Sequence, residues 1–195
     1  MNASKCIIAV SIASLLLVGA SYQVQAHDGK HEQDPMTESL KPLKGREFEV
    51  MFLKQMIQHH HMAVEVAPLT ASNTKRAELT KLGQDILASQ SAEIEQMTGW
   101  LKSWHNETPG SMDSVPGMEM MMKEMEALKG AKDSDFDRMF LDHMIPHHRA
   151  AVDMAKLVAE RSERSELRKL AQDIIKAQSK EVGQMESWKK SWFAK

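Results

Sequence analysis

From Phe48 onward, apolar and polar positions follow one another with the period of an α-helix. Phe48, Met51, Phe52, Met56, Ile57, Met62, Ala63, Val64 and Ala67 recur at spacings that place them on one stripe. A second stripe runs through Leu79, Leu82, Ile86, Leu87, Ile94, Met97, Trp100 and Trp104. Together they predict helices over about 48–67 and 79–104. A third and a fourth helix are expected over about 136–159 and 167–192. Alternating runs of β-branched residues are absent, so strands are not expected.

The second pair of helices repeats the first. Residues 48–104 align with 136–192 without a gap, and 30 of the 57 aligned positions are identical. Each copy is a helical hairpin closed by a short polar turn, Ser72-Asn73-Thr74 or Arg161-Ser162-Glu163. One amphipathic hairpin cannot bury its own apolar face, whereas two can close a core. The expected fold is therefore all-α: a four-helix bundle built from two repeated hairpins related by a pseudo-twofold axis. Residues 105–135 link the copies, punctuated by Pro109-Gly110 and Pro116-Gly117. Within the linker, Met118 to Met125 predicts a short Met-rich helix. It can cross the bundle end or lie along it with methionines inward.

The N-terminal part differs in character. Residues 1–26 read as a secretory signal peptide. Lys5 supplies the positive start, Cys6 to Ala20 an apolar run too short for a comfortable membrane span, and Val24-Gln25-Ala26 a small-x-small cleavage site. Residues 27–44 are polar and aperiodic and read as a mobile tail; residues 45–195 read as a single helical domain. Cleavage removes Cys6, the only cysteine. A chain exported to the periplasm or secreted would then rely on packing rather than disulfides, with no stable membrane insertion after cleavage. The formal charge of −2 offers no basic footprint for nucleic acid.

The repeated helix carries candidate chemistry. Met56-Ile-Gln-His59-His60 in one copy matches Met144-Ile-Pro-His147-His148 in the other. Residues four apart share a helix face, so Met56 lies beside His60 and Met144 beside His148. Met97 and Met185 sit on the partner helix of each hairpin. A Met-His pair plus a methionine across the hairpin makes a trigonal or tetrahedral site of nitrogen and sulfur. Thioether with imidazole suits Cu(I), and Ag(I) by analogy, better than zinc. These methionines fit core packing equally well, since methionine fills irregular cores. Glu93 and Glu181, both in Gln-Ser-x-Glu, can orient the ligand histidines or simply face water.

A second face is formed by Met139, His143 and His147, with Met51 and His59 as counterparts and Gln55 in place of His143. His61, matched by Arg149, is expected to face solvent. Pro146 loses a backbone bond to Asp142 and is expected to bend its helix beside His147. Weaker candidates are His27 and His31, a Cu(II) chelate at the new N-terminus or only a histidine-bearing tail, and the linker methionines Met118, Met121, Met122 and Met125. A di-iron centre would need inward Glu-x-x-His motifs, which helices one and three do not supply.

The Met-Ile-x-His-His-x-x-Ala segments, each followed by a Gln-Ser-x-Glu-x-x-x-Met helix, resemble the exported His/Met-rich family called domain of unknown function three hundred and five. Members look ferritin-like in fold. The resemblance implies copper binding, with sequestration or support of a copper efflux system or its periplasmic component, and no catalysis. The leading expectation is a periplasmic protein of copper resistance and homeostasis that sequesters or hands on Cu(I). The alternative is a cuprous oxidase that cycles copper on the His-rich faces.

Overall fold

The apolar stripes become the long helices of the computed structural model, which describes residues 34–111, 116 and 118–194. The expected signal peptide, His27 and His31 lie outside the described residues. The first hairpin pairs α2 (Gly45–Val66) with α4 (Ala77–His105). The second pairs α6 (Asp133–Lys156) with α8 (Ser165–Phe193). Short elements complete the chain: α1 (Pro35–Leu40), a 3-10 turn (Ala67–Leu69), α3 (Thr70–Asn73), the linker helix α5 (Met118–Gly130) and α7 (Val158–Arg161). Among the described residues there is no strand.

The hairpins meet through their first helices. Of the 22 residues of α2, 13 are buried, against 8 of 29 in α4. Of the 24 residues of α6, 13 are buried, against 6 of 29 in α8. So α2 and α6 are central and α4 and α8 flank them. Two symmetric ion pairs brace the halves. Arg164 Nε of the second copy donates to Glu49 of the first at 2.9 Å, and Arg76 Nε of the first donates to Asp137 of the second at 2.9 Å. The two arginines also lie over Trp104 and Trp192, at 4.3 and 3.9 Å from the ring centres. Equivalent residues thus make equivalent crossings, as a pseudo-twofold axis requires.

The apolar interior is divided into two clusters. One joins Phe48, Phe52, Met56 and Met62 of α2 and Met97 of α4 to Met154 of α6 and Leu167, Leu170 and Ile174 of α8. The other joins Val66, Leu79, Leu82 and Ile86 to Phe136, Phe140, Met144 and Met185. Each combines parts of both hairpins, so neither hairpin closes a core alone.

The repeat reaches further upstream than residue 48. Leu40 and Leu128, equivalent in register, are both buried, and Gly45 and Asp133 both take left-handed φ values, 53° and 50°. Each hairpin is therefore preceded by a covering helix: α1 for the first and α5 for the second. Over residues 35–40 this is a helix where a mobile tail was expected across 27–44, and residues 27–33 lie outside the described residues. Asp34 caps α1 through Thr37 N–H at 2.8 Å, Pro35 opens it, and Met36 and Leu40 bury fully in the first cluster. Burial of two large side chains holds a segment that lacks any long periodic pattern.

Pro146 lies on the exposed side of α6, which continues as one helix through it. At the first hairpin turn, Gly83 permits a close approach. A Cβ there would come within 2.2 Å of Thr70 Oγ1 and 2.6 Å of the Ala67 carbonyl oxygen. The second copy holds Ala171 at this place, buried against a different turn.

Candidate metal centre

Between the two apolar clusters the interior becomes polar. Gln55, Gln58, His59 and His60 of α2, Gln90 of α4, His143, His147 and His148 of α6 and Gln178 of α8 are all buried. Polar groups placed this deep cost free energy unless they find partners. Several have none: both ring nitrogens of His59, Nδ1 of His60, His147 and His148, and both side-chain polar atoms of Gln90.

The two copies build matching halves of this belt. His60 Nε2 meets Glu93 Oε2 at 2.6 Å, and His148 Nε2 meets Glu181 Oε2 at 2.9 Å. Both imidazoles are fully buried, while the carboxylates keep contact with water, at 18% and 17% side-chain exposure. The carboxylate fixes each ring, favours a proton on Nε2 and leaves Nδ1 as the acceptor facing the interior. Arrangements of this kind hold an imidazole ready for a metal ion. Glu93 and Glu181 thus contact the buried imidazoles rather than simply facing water.

Sulfur sits in the flanking clusters. Met56 and Met97 bury in the first cluster and Met144 and Met185 in the second, all with no exposed surface. Met36, Met62 and Met154 add further thioethers to the first cluster, and Met125 adds one to the second. Met36, Met62 and Met154 are not among the candidate ligands expected from sequence, because none of them has a methionine at the matching position of the other copy, where Glu124, Ala150 and Val66 stand. Among the described residues no group of three or more His, Cys, Asp or Glu side chains is placed to hold a metal.

On the axis, His59 and His147 stack with ring centres 3.6 Å apart and planes at 30°. His147 Nε2 lies 3.1 Å from the carbonyl oxygen of His59, to which it donates. Burial first, and neighbouring imidazoles second, hold both rings well below the usual histidine range, so they are neutral at neutral pH. His143 lies beside them, 5.9 Å from His147 between ring centres.

The remaining expected residues separate from the belt. Met51 is 40% exposed, Met139 is half-buried, and His61 is half-buried rather than facing solvent. In α5, Met122 is 40% exposed while Met125 is 5% exposed. The side chains of Met118 and Met121 lie outside what is described. Sequence reasoning missed Gln90 and Gln178. Their signal was the same Gln-Ser-x-Glu motif, in which the glutamine falls three residues before the carboxylate and so on the same helix side.

Comparison with known proteins places this arrangement among relatives. The profile of a domain of unknown function (DUF305) matches residues 20–101 and again 49–189. CopM solved in its Cu(I)-bound form superposes with a TM-score of 0.67 at 34% identity, covering 75% of this chain and 98% of that one. CopM has also been solved with silver and with Cu(II) bound. A DUF305 fragment from Deinococcus radiodurans matches with a TM-score of 0.65 at 30% identity, covering 75% of this chain and 97% of the fragment. A protein named L153 of Acanthamoeba polyphaga mimivirus is 39% identical over 51 residues, 26% of this chain and 34% of that protein's length.

Proposed function

This chain belongs to the DUF305 family, and from that premise we propose that it binds copper as cargo, preferring Cu(I), and sequesters it or hands it on without catalysis. The observation that carries the proposal is the pair of buried imidazoles, His60 and His148. Each is anchored through Nε2 to a carboxylate and presents an unpartnered Nδ1 to a methionine-bearing interior. Such a nitrogen, buried without a partner, is costly in the empty protein, and a metal ion relieves that cost.

The donors select the ion. Neutral imidazole and thioether favour soft monovalent cations, so Cu(I) and Ag(I) bind in preference to Zn(II). The resting ligands are His60 with Met56 and Met97, and His148 with Met144 and Met185. CopM, of similar fold, has been solved with copper and silver bound, which supports the choice of metal. The protein works outside the cytoplasm, in the periplasm or secreted, once residues 1–26 are removed. No helix among the described residues is long and apolar enough to cross a membrane. Thioether in place of thiol keeps soft sulfur available in such an oxidising compartment.

Anaerobic titration with Cu(I) against a chromophoric chelator tests the proposal. Uptake that resists the chelator, with Zn(II) failing to displace the copper, is the expected result. Uptake no tighter than that of a methionine-free helical protein would remove it.

A further inference from the structure

The geometry points to a single loading route for copper, the ladder Met139–His143–His147 on α6, which reaches the belt of both copies through the stacked pair His147 and His59. The route rests on the copper-binding reading above and adds how the buried sites are reached.

The three residues are spaced by four, so they lie on one face of α6. Their burial deepens along the row. Met139 is half-buried, His143 is 7% exposed, His147 3% and His59 0%. Met139 also lines an open hollow of about 520 Å³ at the surface, between the end of α5 and α6. The two cations at that hollow are engaged elsewhere: Arg138 lies over the Phe193 ring at 4.6 Å, and Lys132 donates to Asn73. Asp135 is the carboxylate that lines it.

The steps suit ligand exchange. Ring centres are 5.9 Å apart from His143 to His147 and 3.6 Å from His147 to His59. From the stacked pair, His148 lies 5.9 Å from His147, and His60 lies 6.3 Å from His59. With metal–nitrogen bonds of about 2 Å, two imidazoles that turn their lone pairs toward one ion can share it at ring-centre separations up to about 6.5 Å. Each Cu(I) therefore moves by forming one metal–donor bond as another breaks, with no change of oxidation state. Both ring nitrogens of His59 and Nδ1 of His147 have no partner that would have to be displaced.

The first copy lacks this ladder. Its row reads Met51, Gln55, His59. Gln55 is 1% exposed, and its Nε2 donates to Ser39 Oγ of the covering helix at 2.7 Å. An amide oxygen is a poor partner for a soft cation, so this row is interrupted one step below the surface. The protein thus carries, in its other half, a natural substitution at the middle rung, Gln55 for His143.

The test exchanges the rungs. Anaerobic stopped-flow transfer of Cu(I) from its bicinchoninate complex measures the loading rate, and competition at equilibrium measures affinity. His143→Gln should slow loading by about tenfold or more while shifting equilibrium affinity less than about threefold. Gln55→His should open a second route and speed loading. Met139→Leu, close to volume-conserving at a half-buried position, should slow loading as well and serves if His143→Gln fails to fold. Unchanged loading rates in His143→Gln and Met139→Leu overturn the route. So does a loss of affinity in His143→Gln as large as the loss of rate, which would make His143 a resting ligand. Wild-type protein that takes up no Cu(I) would instead overturn the copper-binding reading itself.

Discussion

The two copies agree where copper would rest and differ where it would arrive. His60 with Glu93 and His148 with Glu181 are near-superimposable in design, with the same burial, the same ring nitrogen on the carboxylate and the same bare Nδ1. On the adjoining face Gln55 stands against His143, and on another side of the helix His61 stands against Arg149. The apolar surroundings differ too. Five methionines, Met36, Met56, Met62, Met97 and Met154, bury in the first cluster, and three, Met125, Met144 and Met185, in the second. The resting imidazole requires an anchored ring and a dry acceptor nitrogen, and few side chains supply both. The first cluster is the richer in sulfur, and the second copy carries the Met139–His143–His147 row.

Removing the shared element should have the largest effect. The double variant His60→Ala, His148→Ala should lose Cu(I) affinity by at least about a hundredfold while remaining helical. Chelator competition and circular dichroism read the two properties separately, and retained affinity would move the metal to the linker methionines or to the second histidine face. Next come the anchors: Glu93→Gln and Glu181→Gln should each weaken their own half by about 10–100-fold. Equal losses in the two variants would sharpen the equivalence of the resting sites, and a loss confined to one would break it.

The hairpin turns supply a stability contrast. Gly83→Ala drives a Cβ into Thr70 and the Ala67 carbonyl, and should destabilise by about 1–3 kcal/mol. Ala171→Gly at the matching place should cost about 1 kcal/mol, the usual helix penalty of glycine. Urea unfolding compares them, and equal costs would mean that the first turn moves aside.

A smaller effect comes from pH. His59 and His147 are held well below 6.5 in the folded protein, first by burial and then by neighbouring imidazoles. The unfolded chain protonates these rings near the ordinary value, so below about pH 6.5 it binds more protons than the folded one. Stability of the copper-free protein should therefore be fully present well above about pH 6.5 and fall as pH is lowered through that value, before carboxylates titrate. Asn at both positions should flatten this part of the profile; an unaltered slope would place the proton uptake elsewhere.

The helices and the repeat were legible in the sequence because stripes of period 3.6 persist over more than twenty residues in each long helix. So was the placing of Met56, Met97, Met144 and Met185 indoors, since each falls on such a stripe. The covering helix α1 was not legible. Six residues are too few to show a period, and only Met36 and Leu40 hold it down. The crossed pairs Glu49–Arg164 and Asp137–Arg76 join residues far apart in the chain, and spacing along one helix carries no trace of them. His61 looked like a surface residue because three successive histidines point in three directions, yet the close packing around α2 leaves even the third half-covered. The belt of glutamines was hidden for a plainer reason: a buried amide and an exposed one look alike in a sequence.

The central claim is that copper rests on the inward nitrogens of His60 and His148. Anomalous diffraction at the copper edge from crystals loaded anaerobically with Cu(I) tests it most directly. Two peaks are predicted, each at bonding distance from Nδ1 of one of these histidines, with methionine sulfur completing the site and the Glu93 and Glu181 contacts intact. Copper bonded to Nε2 with the carboxylates displaced, or found only beside exposed side chains such as Met51 and Met122, would contradict the account.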